Sequence, residues 1–121
     1  IGPVSHELSL SREEVVRLMQ GANAFLMPIN WEEPFGLVMA EAGSCGTPVI
    51  AFRRGSVPEI VQDGLTGFVV DPKEGLEGLK DACANLHRIA PAMCRKYIED
   101  HFTIEKMVDV YVNVYNELLS K

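Results

Sequence analysis

The sequence is poor in the residues and runs that would announce several common functions. Its 121 residues hold three cysteines, Cys45, Cys83 and Cys94. An odd number without framework spacing reads as reduced thiols in a cytoplasmic protein, not as a secreted disulfide scaffold. Neither CxxC nor HxxxH occurs, and His6, His87 and His101 are scattered, so no metal site is expected. No apolar run approaches the roughly 20 residues of a membrane helix, and no signal peptide opens the chain. Basic residues are outnumbered, 11 against 17 acidic ones, for a net charge of -6. That argues against nucleic acid or an anionic membrane as main partner, since both need a basic face. Arg53-Arg54 and Arg95-Lys96 remain as local cationic pairs. The chain also lacks repeats, low-complexity stretches and linkers. It opens without Met, at Ile1-Gly2-Pro3, which reads as a truncated or processed chain.

What is present is ordinary globular composition, 47% apolar and 23% charged, in a length that suits one domain over residues 1–121. Ser11-Arg12-Glu13-Glu14 has capping-box form, and Val15, Leu18, Met19 and Ala22 follow at helical spacing, so a helix is expected over 11–22. Ala24-Phe25-Leu26-Met27 and Pro48-Val49-Ile50-Ala51-Phe52 read as strands buried on both faces, and Gly67-Phe68-Val69-Val70 as a third strand. Between them a helix is expected from just after Pro34 to about Cys45, stopped by Gly46. A short one is expected within Val57 to Gln62. Leu76, Leu79, Cys83, Leu86 and Ala90 share one helical face near the end, as do Ile104, Met107, Tyr111 and Leu118. Buried strands alternating with helices make an α/β unit with a parallel sheet. Ligands of such sheets bind beyond the carboxyl ends of the strands. That selects Pro28 to Gly36, Arg53 to Glu59, and Asp71 onward.

In the first of these places, Glu33 and Glu41 flank the expected helix start. The first amides of a helix have no intrahelical acceptors and carry the positive end of its dipole, so they suit a diphosphate. Gly36 leaves room for a ligand to approach the backbone. Glu41 could accept hydrogen bonds from a ribose diol, and Glu33 from a sugar ring. On chemistry alone, a surface helix with an acidic first turn is the commoner meaning of such a pair.

Glu33-Pro34-Phe35-Gly36-Leu37-Val38-Met39-Ala40-Glu41 resembles the E-x7-E motif of retaining glycosyltransferases of the GT-B fold. Ala42 to Ala51, Gly55 to Glu59 and Asp63 to Val69 resemble further blocks of the same family, in order. The resemblance implies a Rossmann-like parallel sheet with flanking helices, the second half of a C-terminal, donor-binding lobe. It implies a nucleotide sugar (UDP-, GDP- or ADP-linked) as donor, an unidentified acceptor, and hexosyl transfer with retention and without a metal cofactor. By matching position, Glu33 would hold sugar hydroxyls near the transferring carbon, and Glu41 the ribose. The amides around Phe35, Gly36, Leu37 and Val38 would bind sugar and diphosphate. The family's Arg and Lys diphosphate clamp and its acceptor-binding N-terminal lobe have no counterpart in these residues. The 121 residues alone are therefore expected not to transfer sugar. Ile29 and Ser56 depart from the family's usual Ser and Gly.

Other residues invite simpler readings. Trp31 is more often a loop anchor than a stacking platform, and Arg53 and Arg54 more often solvated than bound to phosphate. Glu59, Ser44, Cys45 and Thr47 read as structural, His6 and His101 as exposed, Tyr111 and Tyr115 as packing residues. A non-catalytic nucleotide- or nucleotide-sugar-binding module, or a bare scaffold, is the competing reading. A sheet edge left open would favour pairing with a second copy. Membrane association of a longer protein stays open.

Overall fold

The computed structural model describes residues 11–28, 37–102, 112–114 and 116–119. The first helix, α1 (Arg12–Gly21), begins with the expected capping box: the Glu14 amide donates to Ser11 Oγ at 3.2 Å and the Ser11 amide to Glu14 Oε1 at 3.4 Å. Then come β1 (Phe25–Met27), α2 (Leu37–Ser44), β2 (Val49–Phe52), α3 (Val57–Ile60) and β3 (Gly67–Val70). A 3₁₀ turn (Pro72–Glu74), α4 (Gly75–Ala84), a second 3₁₀ turn (Leu86–Arg88) and α5 (Pro91–His101) follow.

The three strands form one parallel sheet in the order β1-β2-β3. Side chains of a strand alternate between faces, and both faces are covered here. Val49, Ala51 and Val69 join Met39, Ala42 and Ile98 in one cluster, while Ile50 and Val70 join Ala82 and Leu79 in the other. Helices on both faces of a parallel sheet make the α/β architecture expected from the strand–helix alternation.

Two glycines matter for register and termination. Gly46 has φ +78 and closes α2, its amide donating to the Gly43 carbonyl at 2.9 Å while the Thr47 amide donates to Ala42 at 3.0 Å. Gly67 pairs with Val49, and a Cβ there would run into the Val49 carbonyl oxygen, so β2 and β3 meet at this register only with glycine.

Two expectations need correction, and a third point is an element that the sequence pattern does not announce. β1 is not buried on both faces: Leu26 is 51% exposed, because β1 is the edge of the described sheet. The stripe Leu76–Ala90 is not one buried face. The helix ends at Ala84, Leu76 is 64% exposed and Cys83 is exposed, whereas Gly78 and Ala82 are buried. The physical reason is proximity, since a Cβ on Gly78 would lie 2.5 Å from Val70 Cγ1. Small residues let α4 come close to β3 with Leu79 half-buried beside them, while Leu76 and Cys83 are turned away. Third, α5 is a helix that the apolar pattern did not announce, started by Pro91 and buried through Cys94 and Ile98.

Candidate functional site

Because the strands are parallel, Met27, Phe52 and Val70 end at one margin of the sheet. The segments leaving them are those the carboxyl-end rule selects. Arg53 stays close to that margin: its amide donates to the Val70 carbonyl at 2.8 Å. The Val57 amide donates to the Arg54 carbonyl at 3.1 Å, so the chain turns at once from β2 into α3. Arg53 is exposed and Arg54 half-buried.

The helix that follows β1 is α2. Met39 and Ala42 are fully buried, and Gly43 is held against Ile98 of α5, where a Cβ would be 2.5 Å from Ile98 Cγ1. With residues 39, 42 and 43 turned inward, the helical period places Val38 and Glu41, three apart, on an adjoining stripe. Val38 is 41% exposed and Glu41 half-buried. The C-terminal end of the helix is tied off by the Ser44 hydroxyl, which donates to the Glu41 carbonyl at 2.9 Å. Two members of the expected site, Val38 and Glu41, thus share one helix whose orientation is set by core packing. Leu37 is the first residue of that helix. Glu33, Phe35 and Gly36 lie outside the described residues, as do Trp31, His6, Tyr111 and Tyr115.

The remaining sequence candidates behave structurally. Thr47 is buried and its hydroxyl donates to the Met19 carbonyl, joining α1 to the turn before β2. Cys94 is buried, its thiol 3.4 Å from the Thr66 carbonyl, and burial pushes that thiol up from its ordinary pKa against the opposing effect of a backbone hydrogen bond. Glu59 is exposed on α3, while its backbone carbonyl accepts the Tyr97 hydroxyl at 2.9 Å. His101 is exposed, as expected, but its ring also stacks on Tyr97 with centroids 4.4 Å apart. Sequence reading passed over Tyr97 and Gln62, which join α5 to the segment after β2; nothing in their spacing marks them. Among the described residues no group of three or more His, Cys, Asp or Glu is arranged to hold a metal ion. No helix among them is long and apolar enough to cross a membrane.

The sequence matches the family described as glycosyl transferases group 1 over residues 4–100. It is 30% identical over 119 residues to N-acetyl-alpha-D-glucosaminyl L-malate synthase of Bacillus anthracis, covering 93% of this chain and 31% of that protein. To D-inositol 3-phosphate glycosyltransferase of Mycolicibacterium smegmatis it is 32% identical over 113 residues, covering 91% of this chain and 26% of that one. Its fold superposes on sucrose-phosphate synthase from Thermosynechococcus elongatus with a TM-score of 0.76 and 29% identity, over 92% of this chain and 29% of the synthase. Anabaena Alr3699/HepE, solved in complex with UDP-glucose, gives a TM-score of 0.69 at 25% identity, over 91% of this chain and 31% of that one. The chain therefore spans about a third or less of the length of these relatives. With a match over most of its length and a parallel α/β sheet shared with solved members, the chain belongs to the group 1 glycosyl transferases of the GT-B fold.

Proposed function

We propose that this chain is the donor-binding portion of a retaining sugar transferase, with its site at the start of α2. The observation that carries the reading is that Val38 and Glu41 lie on α2, the helix that follows β1 of the parallel sheet, in a chain whose sequence matches the family. The backbone amides of Phe35, Gly36, Leu37 and Val38 bind the sugar and diphosphate, using the unsatisfied donors and positive end of a helix. Glu41 accepts hydrogen bonds from the ribose diol. Glu33 holds the sugar hydroxyls beside the transferring carbon and is the catalytic residue of this set. The relative solved with UDP-glucose makes a uridine diphosphate sugar the first donor to try.

The reaction proposed is hexosyl transfer with retention. The acceptor hydroxyl attacks the anomeric carbon on the face from which the diphosphate departs, and the departing phosphate oxygen takes the hydroxyl proton. Charge develops on that oxygen, so donors aimed at it carry much of the catalysis. No metal is assigned to this chemistry, and chelation with EDTA should leave donor binding unchanged. The 121 residues hold part of the donor site, and turnover requires the remainder of a protein of the relatives' length. By themselves they are proposed to bind without transferring, and to associate through the edge of β1.

Titration with UDP, GDP and ADP tests the reading. A ligand at a hundred times its dissociation constant stabilises the native state by about 2.7 kcal/mol, which thermal unfolding detects. At least one nucleotide should raise the melting temperature, and Glu41→Ala should reduce that rise more than Glu59→Ala. The reverse order overturns the ribose assignment. No rise with any of the three at millimolar concentration overturns the donor-site reading.

A further inference from the structure

We infer that Tyr97 is a positioning residue for the donor site: its hydroxyl braces α3 and the turn after it against α5, and so fixes the backbone leaving the carboxyl end of β2. The inference rests on the donor-site reading above for its functional consequence, and on hydrogen-bond geometry for the brace itself.

With four residues, α3 is far shorter than the roughly 12–15 an isolated helix needs to persist. The last carbonyls of a helix also lack intrahelical partners. Here the Tyr97 hydroxyl, from an element 38 residues further along, donates to the Glu59 carbonyl at 2.9 Å. The same oxygen accepts a hydrogen bond from Gln62 Nε2 at 2.8 Å. Gln62 in turn organises the entry to β3, its carbonyl accepting the Leu65 and Thr66 amides at 3.0 Å each and its amide donating to Thr66 Oγ1 at 3.0 Å. One phenol thus holds both the end of α3 and the start of the next turn.

The ring that carries this phenol is held in place. His101 stacks on it at 4.4 Å with 26° between planes, and Phe102 lies tilted against it at 5.8 Å. The neighbouring residue, Ile98, meets Gly43 of α2. Adjacent residues of α5 therefore contact the two elements that flank the site: Ile98 holds α2, which carries Glu41, and Tyr97 holds α3. Upstream of α3 the chain has little slack. Arg53 is bonded to Val70 and Val57 to Arg54, so a tilt of α3 is passed directly to residues 53–56.

The test compares the full chain with Tyr97→Phe, which keeps the ring and removes the hydroxyl, and with Lys96→Ala, which removes the exposed α5 ion pair to Asp100. In hydrogen exchange without ligand, amides of residues 57–66 in Tyr97→Phe should exchange about five- to a hundredfold faster, the scale of the two hydrogen bonds that the phenol oxygen makes. Those of β2 should not change. The dissociation constant for whichever of UDP, GDP and ADP the wild type binds should rise by a similar factor, and Lys96→Ala should alter neither readout. Unchanged exchange over 57–66 overturns the brace. If the wild type binds one of these nucleotides and Tyr97→Phe binds it equally well, the positioning role is overturned although the brace stands. A wild type that binds none of the three overturns the donor-site reading and the positioning role together, while exchange still decides the brace.

Discussion

At Gly43 of α2 the side chain of Ile98 from α5 fills the space a Cβ would take, since that Cβ would stand 2.5 Å from Ile98 Cγ1 and 3.1 Å from its Cδ1. Enlarging a packed site forces neighbours off their rotamers at about 1–3 kcal/mol. Gly43→Val should lower the unfolding free energy measured in urea by that much and weaken nucleotide binding, because α2 also carries Glu41. A loss of stability with unchanged affinity would show that the α2–α5 spacing is irrelevant to the site. The cysteines differ in a way that labelling can read. Cys83 is exposed, whereas Cys94 is buried, with its thiol pushed up by burial. An alkylating reagent at pH 8 should modify Cys83 first and leave Cys94 until the chain unfolds; early modification of Cys94 would contradict its burial. The sign for stability follows from the same shift. Above the ordinary thiol pKa the unfolded state releases this proton before the folded state does, so the contribution of Cys94 is full below that pH and declines as pH rises.

Elements differed in how plainly the sequence announced them. Ser11→Ala should cost about 1 kcal/mol in chemical denaturation, since the serine and Glu14 satisfy α1 amides reciprocally and the pattern is local. A cost near zero would mean that water replaces the cap. Signals of that kind were legible: the capping box, Gly46 after α2, and the apolar runs that became β2 and β3. What failed was inference from apolar periodicity alone. The face holding Leu76 and Cys83 has the right spacing, yet closeness to β3 favours the face with Gly78 and Ala82. Helix α5 buries small or medium residues, Cys94 and Ile98, among charged neighbours, so only Pro91 marks its start. Likewise Val38 and Glu41 could be placed from a motif. The Tyr97–Glu59 and Tyr97–Gln62 bonds join residues 38 and 35 apart, and no local pattern encodes them.

For the molecule as a whole, the margin of β1, the edge of the sheet among the described residues, is the feature with the broadest reach. Unpaired strand edges recruit further strands, and Leu26 presents an apolar side chain there, 51% exposed. In sedimentation velocity the isolated chain should show reversible self-association at high micromolar concentration. Leu26→Lys should shift it toward monomer, as edge charges do in natural sheets. A wild-type chain monomeric throughout that range would count against pairing through β1. In an assembly of the relatives' length the Tyr97–His101 stack gains a different use. The imidazole lies nearly parallel to the phenol ring at 4.4 Å, within its ring current. The Cε1 and Cδ2 protons of His101 should therefore resonate upfield of those of exposed His87. With only three histidines in this sequence, selective labelling turns the α5 brace into a nuclear magnetic resonance reporter, readable while donor is titrated.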